Sequence, residues 1–434
     1  MDTDILNTVP SALIGSVGVV LLLGCVLLFT MRRWEMAGAY LLFAIIEQQF
    51  AIDMGIRLLN YTVSPMDFLS SCAVTAAGLR LLGRGRVDIV EMLWLLVFLI
   101  LLAAFFHGIL TFGFQSATIS YRRFFYVSAA IIYMLSHPWK DSDVNRLMNM
   151  WVLVAVILVL ITLSGWFNLF SLPWVERQIV INAFDTQRVL PASAAFILAQ
   201  AGLAGLAAAW SRPEQGGSQR LLSIVFLVIM ALLYHRTVWV ATFAGIATII
   251  MMQPRAIMRL GVPLMIGFML TLALWTFQTG FGDTSLAASM QAAISEPFKD
   301  DSSYNWRVEG WQILVARTFA GGVADIVLGP GFGVGYARQM GWALVEYSPH
   351  NFYVETFVNA GLMGLGIWCL AVAETGVRMV RGGLHGASRL DRAGALALLV
   401  AIAVYNIPYT LGSEQGLMIG MLAAMVRSRP GERA

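Results

Sequence analysis

Long apolar runs alternate with short polar stretches along almost the whole chain. A membrane-spanning helix needs about 20 predominantly apolar residues, and fewer when it packs inside a helical bundle. The pattern therefore predicts an all-α polytopic membrane protein with about 12–14 transmembrane helices. The thirteen predicted segments are 11–30, 36–52, 66–82, 89–107, 121–136, 147–166, 189–210, 220–235, 237–252, 260–278, 351–373, 393–408 and 414–426.

Two places in this pattern need interpretation. The first apolar run, 14–29, is followed by Met-Arg-Arg at 31–33 rather than by a small-residue cleavage site, so we expect a first span and not a removed signal peptide. Tyr-His-Arg at 234–236 interrupts the apolar stretch 220–252. We expect a tight turn between two helices at this interruption.

The longest stretch outside the predicted spans is 279–350. Its glycines at 329–335 are expected to end any helix that precedes them. Before them, segment 306–320 has the apolar spacing of a helix that lies on the bilayer surface or on the bundle. The apolar positions of that helix are Trp311, Leu314, Val315 and Phe319.

These segments predict three parts of the chain. They are 1–278 with transmembrane helices 1–10, 279–350 as one large external loop with amphipathic helices, and 351–434 as the C-terminal transmembrane helices and tail.

The composition agrees with a membrane protein and excludes several functional classes. Hydrophobic residues make up 59% of the chain and charged residues 12%, and the mean hydropathy is +0.75. The three cysteines, Cys25, Cys72 and Cys369, lie in apolar segments, so no disulfide is expected. No carboxylate and histidine spacing indicates a metal site, and we expect no metal and no cofactor. No nucleotide-binding motif and no basic arm for nucleic acid is present.

The arginines indicate an orientation and one anomaly. Of 28 basic residues, 18 fall on the side that the positive-inside rule makes cytoplasmic when the N-terminus is external. The remaining ten lie outside or at the external boundary. Because such positions oppose the orientation signal, we expect some of them to serve a function.

The stretch EYSPHNFYVET, residues 346–356, carries the strongest candidate for chemistry. Ser348 and Pro349 fit the cap and first turn of the next helix, which would place His350 and Asn351 at the positive end of its dipole. A histidine there is disfavoured as imidazolium and could accept a proton. Alternatively, His350 fills an interfacial polar layer and Asn351 caps the helix. Glu355 lies one turn below, where a carboxylate usually has a partner or a function.

Several external arginines are further candidates. Arg236 stands at a helix end, where it would either reach the lipid head groups or face a cavity that holds a lipid phosphate. Arg307 and Trp311 are four residues apart on one helix face, so a cation–π contact could hold the arginine. Weaker candidates at the external boundary are Arg122 with Arg123 and Arg188, for which lipid contact is the competing interpretation.

Four motifs occur in a characteristic order: HRTVWVA, NWRVEGW, GPGFGVG and PHNFYVETFVNAGLMGL. In this order they resemble the motifs of the O-antigen ligase and Wzy polymerase superfamily of membrane glycosyltransferases. The matching positions in this chain are Arg236, Arg307 with Trp311, Gly331 with Gly333, His350 with Asn351, and Gly361 with Gly364. The resemblance covers residues 235–366, and the first 180 residues match only as generic spans.

The resemblance implies a GT-C-like glycosyltransferase in the bacterial inner membrane, with its active site facing the periplasm. It implies a donor glycan on undecaprenyl pyrophosphate and metal-independent transfer with inversion. His350, Arg236 and Arg307 would be catalytic, the histidine as base and the arginines as fixed cations for the departing diphosphate. Residues implied to bind substrate are Arg188, Asn351, Trp311, Arg122, Arg123, Glu355 and His235.

The sequence leaves three questions open: which histidine is the base, which acceptor is used, and whether the protein is an enzyme or a transporter. His235 stands where the family often has serine, so it competes with His350 for the role of base. The acceptor is either another lipid-linked repeat unit, as in a polymerase of the xanthan type, which we favour, or lipid A-core, as in a ligase. A transporter or flippase is the alternative from another class. Expected partners are the lipid-linked oligosaccharides, membrane lipids, a flippase and chain-length or export proteins, and no nucleic acid.

Overall fold

The structure is a computed structural model of the chain. It describes residues 23–50, 56–58, 61–84, 87–167, 180–181, 187–211, 217–233, 235–254, 303–341, 343–381 and 390–427.

Helices make up most of the described chain. Residues 23–31 are helical. The following helices are α1 (Arg33–Phe50), α2 (Pro65–Leu82), α3 (Ile89–Phe112), α4 (Phe114–Leu135), α5 (Asp141–Phe167), α6 (Ala192–Ser211), α7 (Gly217–Leu232), α8 (Arg236–Met252), α9 (Ser303–Ala320), α10 (Val323–Leu328), α11 (Phe352–Arg381), α12 (Arg392–Tyr405) and α13 (Ser413–Met425). Three antiparallel hairpins pair β1 (Ile56–Leu58) with β2 (Tyr61–Val63), β3 (Val180–Ile181) with β4 (Gln187–Arg188), and β5 (Arg338–Met340) with β6 (Ala343–Val345).

The helices confirm the prediction of an all-α polytopic membrane protein. Within the described residues, four helices are long and apolar enough to cross a membrane: Ile89–Phe112, Asp141–Trp166, Ala192–Ser211 and Phe352–Arg381. Helices α7, α8 and α12 are apolar but shorter. The predicted break at 234–236 is confirmed, since α7 ends at Leu232 and α8 begins at Arg236. The predicted segment 260–278 and most of 11–30 lie outside the described residues.

Side-chain contacts show how the helices run relative to one another. The Gln253 amide, which follows α8, donates to the Asp391 carboxylate, which caps the start of α12, at 2.6 Å. Arg378 near the end of α11 pairs with Asp88, the cap of α3, at 2.8 Å. Helices α8 and α12 are therefore antiparallel, as are α3 and α11. We call the end of the bundle at which α11 begins the loop end, and the other the opposite end.

Ion pairs fasten the opposite end. The buried Glu91 carboxylate accepts from Arg84 at 2.8 Å and from Arg427 at 2.6 Å. Arg427 also donates to the carbonyl of Leu135, the last residue of α4. Because these arginines neutralise a buried acid and cap a helix end, their contacts are structural.

Helix α11 is broken at Gly361, whose φ of 63° and ψ of −167° are not helical. The break leaves helix carbonyls without their usual donors, and the Gly331 amide donates to the Asn359 carbonyl at 3.2 Å. The next amide, Phe332, donates to the Ala104 carbonyl of α3 at 3.2 Å. A Cβ at Gly331 would lie 2.7 Å from the Gly108 amide nitrogen, so the glycine-rich turn fits between α3 and α11 only without a side chain.

The part of the loop that the structure describes has helices and strands, and residues 279–302 lie outside it. Of the apolar stripe predicted for α9, Leu314 is completely buried, whereas Phe319 is 53% exposed. The hairpin β5–β6 follows the glycine-rich turn and was not predicted, because each of its strands has only three residues and they alternate weakly. The hairpin and α9 bring the chain to the start of α11.

Candidate active site

The cap of α11 differs from the first of the two sequence interpretations and agrees with the alternative, in which Asn351 caps the helix. Asn351 is the residue before the helix, and its Oδ1 accepts from the Val354 amide at 3.0 Å. Ser348 and Pro349 were predicted as cap and first turn, and this prediction is wrong by three residues. Asparagine caps a helix as well as serine does, and the Ser348 hydroxyl instead donates to the Glu355 carboxylate. His350 therefore lies just outside the helix.

His350 adopts an unusual backbone conformation. Its φ of 52° makes it the one described residue other than glycine with a positive φ. Its amide donates to the Ser348 Oγ at 3.2 Å, and the Ser348 hydroxyl in turn donates to the Glu355 carboxylate. Arg123 of α4 pairs with the buried Glu355 at 3.6 Å. Three side chains and the His350 backbone amide thus form one connected group around the start of α11, which supports the pairing that Glu355 was expected to need.

Helix α9 reaches the same segment from the loop. The Trp311 indole N–H donates to the Pro349 carbonyl at 2.8 Å. Proline has no amide hydrogen, so its carbonyl is the only backbone group through which this residue can be held by a hydrogen bond. Trp311 therefore ties the loop helix to the residue that precedes His350.

Arg307 lies one turn before Trp311 on α9. Its Nη1 donates to the Pro408 carbonyl at 3.3 Å, and its guanidinium carbon lies 5.6 Å from the centre of the Tyr409 ring. The sequence predicted a cation–π contact with Trp311, but the contact that the structure gives Arg307 is with Tyr409. The difference arises because the Trp311 indole turns to Pro349.

Residues 406–409, which we call the α12–α13 turn, also hold α11. The Phe352 amide lies 3.1 Å from the carbonyls of both Asn406 and Tyr409 and donates to them. One turn therefore supports both Arg307 and the first residue of α11. Sequence reasoning missed this support; the visible signal was Pro408 beside Tyr409 between two apolar spans.

Partial burial and the neighbouring arginines both favour the neutral imidazole of His350. Partial burial of the ring lowers its pKa below the usual 6.5, and Arg307, Arg123 and Arg338 lower it further. A neutral imidazole retains a ring nitrogen that can accept a proton. The predicted neutral state thus has a physical basis, although its main cause is burial beside arginines rather than a place inside the first turn.

Arg338 contributes to this field from inside the protein. Only 4% of the residue is exposed. Its Nη1 donates to the carbonyls of Tyr336 and Tyr347 at 3.0 Å each, and its guanidinium lies over the rings of Trp306 and Tyr347. Burial lowers the pKa of this guanidinium. We interpret Arg338 as a structural cation that joins β5–β6 to α9.

His235 and Arg236 stand at the start of α8. The buried His235 ring has its Nε2 2.9 Å from the Leu190 carbonyl, so Nε2 carries the hydrogen and cannot be the atom that takes a proton. Arg236, the first residue of α8, is partly buried. Because α8 and α12 are antiparallel, Arg236 lies at the loop end, the end that carries Tyr409. Its approach to the diphosphate stays a prediction.

The two neighbouring arginines of α4 are used differently. Arg122 pairs with Asp67 at 3.1 Å and donates to the Thr62 carbonyl at 2.6 Å, and so holds β2 and α2 against α4. Arg123 joins the group around His350 through Glu355 and is half exposed. The Arg188 side chain lies outside the described residues. Substrate contact by Arg122, Arg123 or Arg188 stays a prediction.

Comparison with known families agrees with the motifs. Residues 221–369 match the family model described as O-Antigen ligase. The match covers α8, α9, the glycine-rich turn, His350 and the Gly361 break, and confirms the resemblance to the O-antigen ligase and Wzy superfamily over this segment. It supports glycosyl transfer of the ligase or polymerase type in the membrane. No curated protein matches the chain.

Proposed function

We propose that this chain, whose residues 221–369 match the family model described as O-Antigen ligase, is a polysaccharide polymerase. It transfers a glycan from a lipid-linked pyrophosphate onto another lipid-linked repeat unit, without a metal and with inversion at the anomeric carbon. The donor and acceptor are undecaprenyl-pyrophosphate oligosaccharides, and transfer takes place at the periplasmic face of the bacterial inner membrane. A flippase supplies the substrates, and chain-length or export proteins receive the product.

The proposed reaction is a single displacement. His350 accepts the proton of the acceptor hydroxyl, whose oxygen attacks C1 of the donor sugar. The bond between C1 and the phosphate oxygen breaks, and the electron pair leaves with the diphosphate. Arg307 and Arg236 stabilise the negative charge that grows on this leaving group. Attack from the face opposite the leaving group inverts C1.

One observation carries this proposal: the segment that carries His350 and the guanidinium of Arg307 are held by shared supports. Trp311 of α9 contacts Pro349, and Arg307 of the same helix contacts the α12–α13 turn that also binds the start of α11. Because the imidazole is neutral and the guanidinium charged, the two can act on opposite sides of the breaking bond. Such preorganised cations stabilise charge best where water is scarce.

The remaining contacts indicate that some predicted residues position the base and that others could contact the substrate. Asn351 caps α11, and Trp311 and Glu355 hold the segment around His350, so we assign these three to positioning the base. Arg123 is half exposed beside His350 and is the best placed of the weaker candidates to contact a sugar or phosphate. The division into parts 1–278, 279–350 and 351–434 is retained as part of the proposal.

A reconstitution experiment tests the proposal. Purified protein in nanodiscs receives lipid-linked repeat units as donor and acceptor, with EDTA and without nucleotide sugars. We expect products longer by whole repeat units, with inverted linkage by NMR. Products formed only on added lipid A-core would show a ligase instead. Transbilayer movement of the substrate without a new glycosidic bond would overturn both and show a transporter.

A further inference from the structure

The α12–α13 turn lies outside the segment that matches the family model, and it contains no residue that the motifs identify. It nevertheless contacts Arg307 at two points. The Pro408 carbonyl accepts from Nη1, and the Tyr409 ring lies under the guanidinium. These contacts hold a long side chain that would otherwise have several rotamers.

The Tyr409 ring is itself held by a stack of aromatic rings. It stacks on Tyr405, the last residue of α12, with ring centres 5.0 Å apart and an angle of 14°. Tyr405 stacks on Phe196 of α6 at 4.1 Å and 3°. Tyr405 and Phe196 are almost completely buried. The three rings form a continuous stack, the aromatic stack, from the bundle interior to the guanidinium of Arg307.

The turn also fixes the distance between the two catalytic candidates. The Tyr409 carbonyl accepts from the Phe352 amide, two residues after His350, while the Tyr409 ring holds Arg307. One residue therefore contacts both the segment that carries the base and the cation. A displacement of Tyr409 would move one relative to the other.

We propose that Tyr409 is a positioning residue that sets Arg307 against the diphosphate of the donor. This inference rests on the proposed function, because it assumes that Arg307 binds the diphosphate. Tyr409 does not touch the substrate; it acts through the guanidinium. The aromatic face contributes attraction to the cation, and the stack below contributes rigidity.

Binding of a diphosphate tests the inference apart from catalysis. We would measure the Kd of farnesyl pyrophosphate for the detergent-solubilised full chain, for Tyr409→Leu, for Arg307→Ala and for the double variant. A cation–π contact of ordinary strength predicts that Tyr409→Leu weakens binding about three- to thirty-fold. The double variant should bind no more weakly than Arg307→Ala, because Tyr409 acts only through Arg307.

Two further variants control the measurement. Tyr409→Phe keeps the ring and should restore most of the affinity. Phe106→Leu removes an aromatic side chain of α3 that is 55% exposed, and should bind like the unmodified chain. Should Tyr409→Leu fail to fold, as judged by gel filtration, Tyr409→Met replaces it, because methionine fills similar space without an aromatic face.

The outcomes separate this inference from the proposed function. Additive losses in the double variant, or unchanged binding in Tyr409→Leu, would overturn the positioning role. Unchanged binding in Arg307→Ala would overturn the diphosphate role of the arginine and the inference with it. If diphosphate binding follows the expected pattern while no glycan is transferred in reconstitution, the inference stands and the proposed polymerase fails.

Discussion

The indole nitrogen of Trp311 lies 2.8 Å from the carbonyl oxygen of Pro349, to which it donates. This bond joins two segments that are 38 residues apart in the chain. Since His350 follows Pro349 directly and Arg307 precedes Trp311 by one turn, the bond lies between the proposed base and the proposed cation. A shift of helix α9 would therefore break this bond or move the residue that precedes the histidine.

Removing this bond should lower the rate with little loss of stability. In Trp311→Phe the ring remains but the donor is lost, and we expect kcat to fall about five- to ten-fold, the value of one hydrogen bond. The measurement is the initial rate of glycan extension. Trp139→Phe is the matched control, because it removes an equivalent indole bond to Met134 outside the site. An equal loss of rate in both variants would contradict a specific role for Trp311.

The imidazole of His350 should be indispensable for rate. We expect His350→Ala to lower kcat by about 10²- to 10⁴-fold, since general base catalysis has that range. Amounts of folded protein, measured by fluorescence-detected gel filtration, should not change because the ring is partly exposed. His107→Ala, which alters an exposed histidine on α3, serves as control. Full activity of His350→Ala would remove the histidine from the mechanism.

The pH dependence of kcat/KM should report the charges around His350. Below its pKa the ring binds a proton and cannot act as base, so activity falls on the acid side; because the pKa is lowered, this fall should lie below pH 6.5. Arg123→Gln removes one of the charges that disfavour the imidazolium. The pKa then rises, and the acid limb moves to higher pH.

Two results would contradict this reasoning. One is a movement of the acid limb to lower pH in Arg123→Gln, and the other is an unchanged profile. Arg381→Gln, at the opposite end of α11, is the control for loss of an arginine and should leave the profile unchanged.

The sequence predicted the helices well because their signal is local. Apolar runs of sufficient length identify spans, and the polar residues at 234–236 marked the break between α7 and α8. The sequence left the cap of α11 open between Ser348 and Asn351, which are both good caps, and only the contact of Ser348 with Glu355 decides between them. The role of the α12–α13 turn could not be predicted, since Arg307 and Pro408 are 101 residues apart. Contacts at such separations depend on how whole helices pack.

The break in α11 requires glycine. A Cβ at Gly361 would lie 2.5 Å from the Gly329 amide nitrogen and 2.5 Å from the Val327 carbonyl oxygen, and φ is 63°. We expect Gly361→Ala to destabilise the protein by at least about 1–3 kcal/mol. Thermal unfolding in detergent measures this as a lower Tm.

Gly366→Ala is the matched control on the same helix, because no atom lies within 4 Å of the Cβ that it would add. Its Tm should stay equal or rise, since alanine favours the helix. Equal Tm values for Gly361→Ala and the unmodified chain would show that α11 can be continuous.

The hydrogen bond from Gly331 to Asn359 also limits how the protein could admit the proposed lipid-linked glycan. Withdrawal of the glycine-rich turn would strip a carbonyl of its donor inside an apolar bundle, at a cost of several kcal/mol. We therefore expect entry and exit of the sugar chain to use movements of other parts of the loop. The glycine-rich turn should stay in place through every catalytic cycle. The same hydrogen bond constrains the order of biogenesis. Helix α3 and the part of α11 before Gly361 must both be inserted before the glycine-rich turn can bind between them.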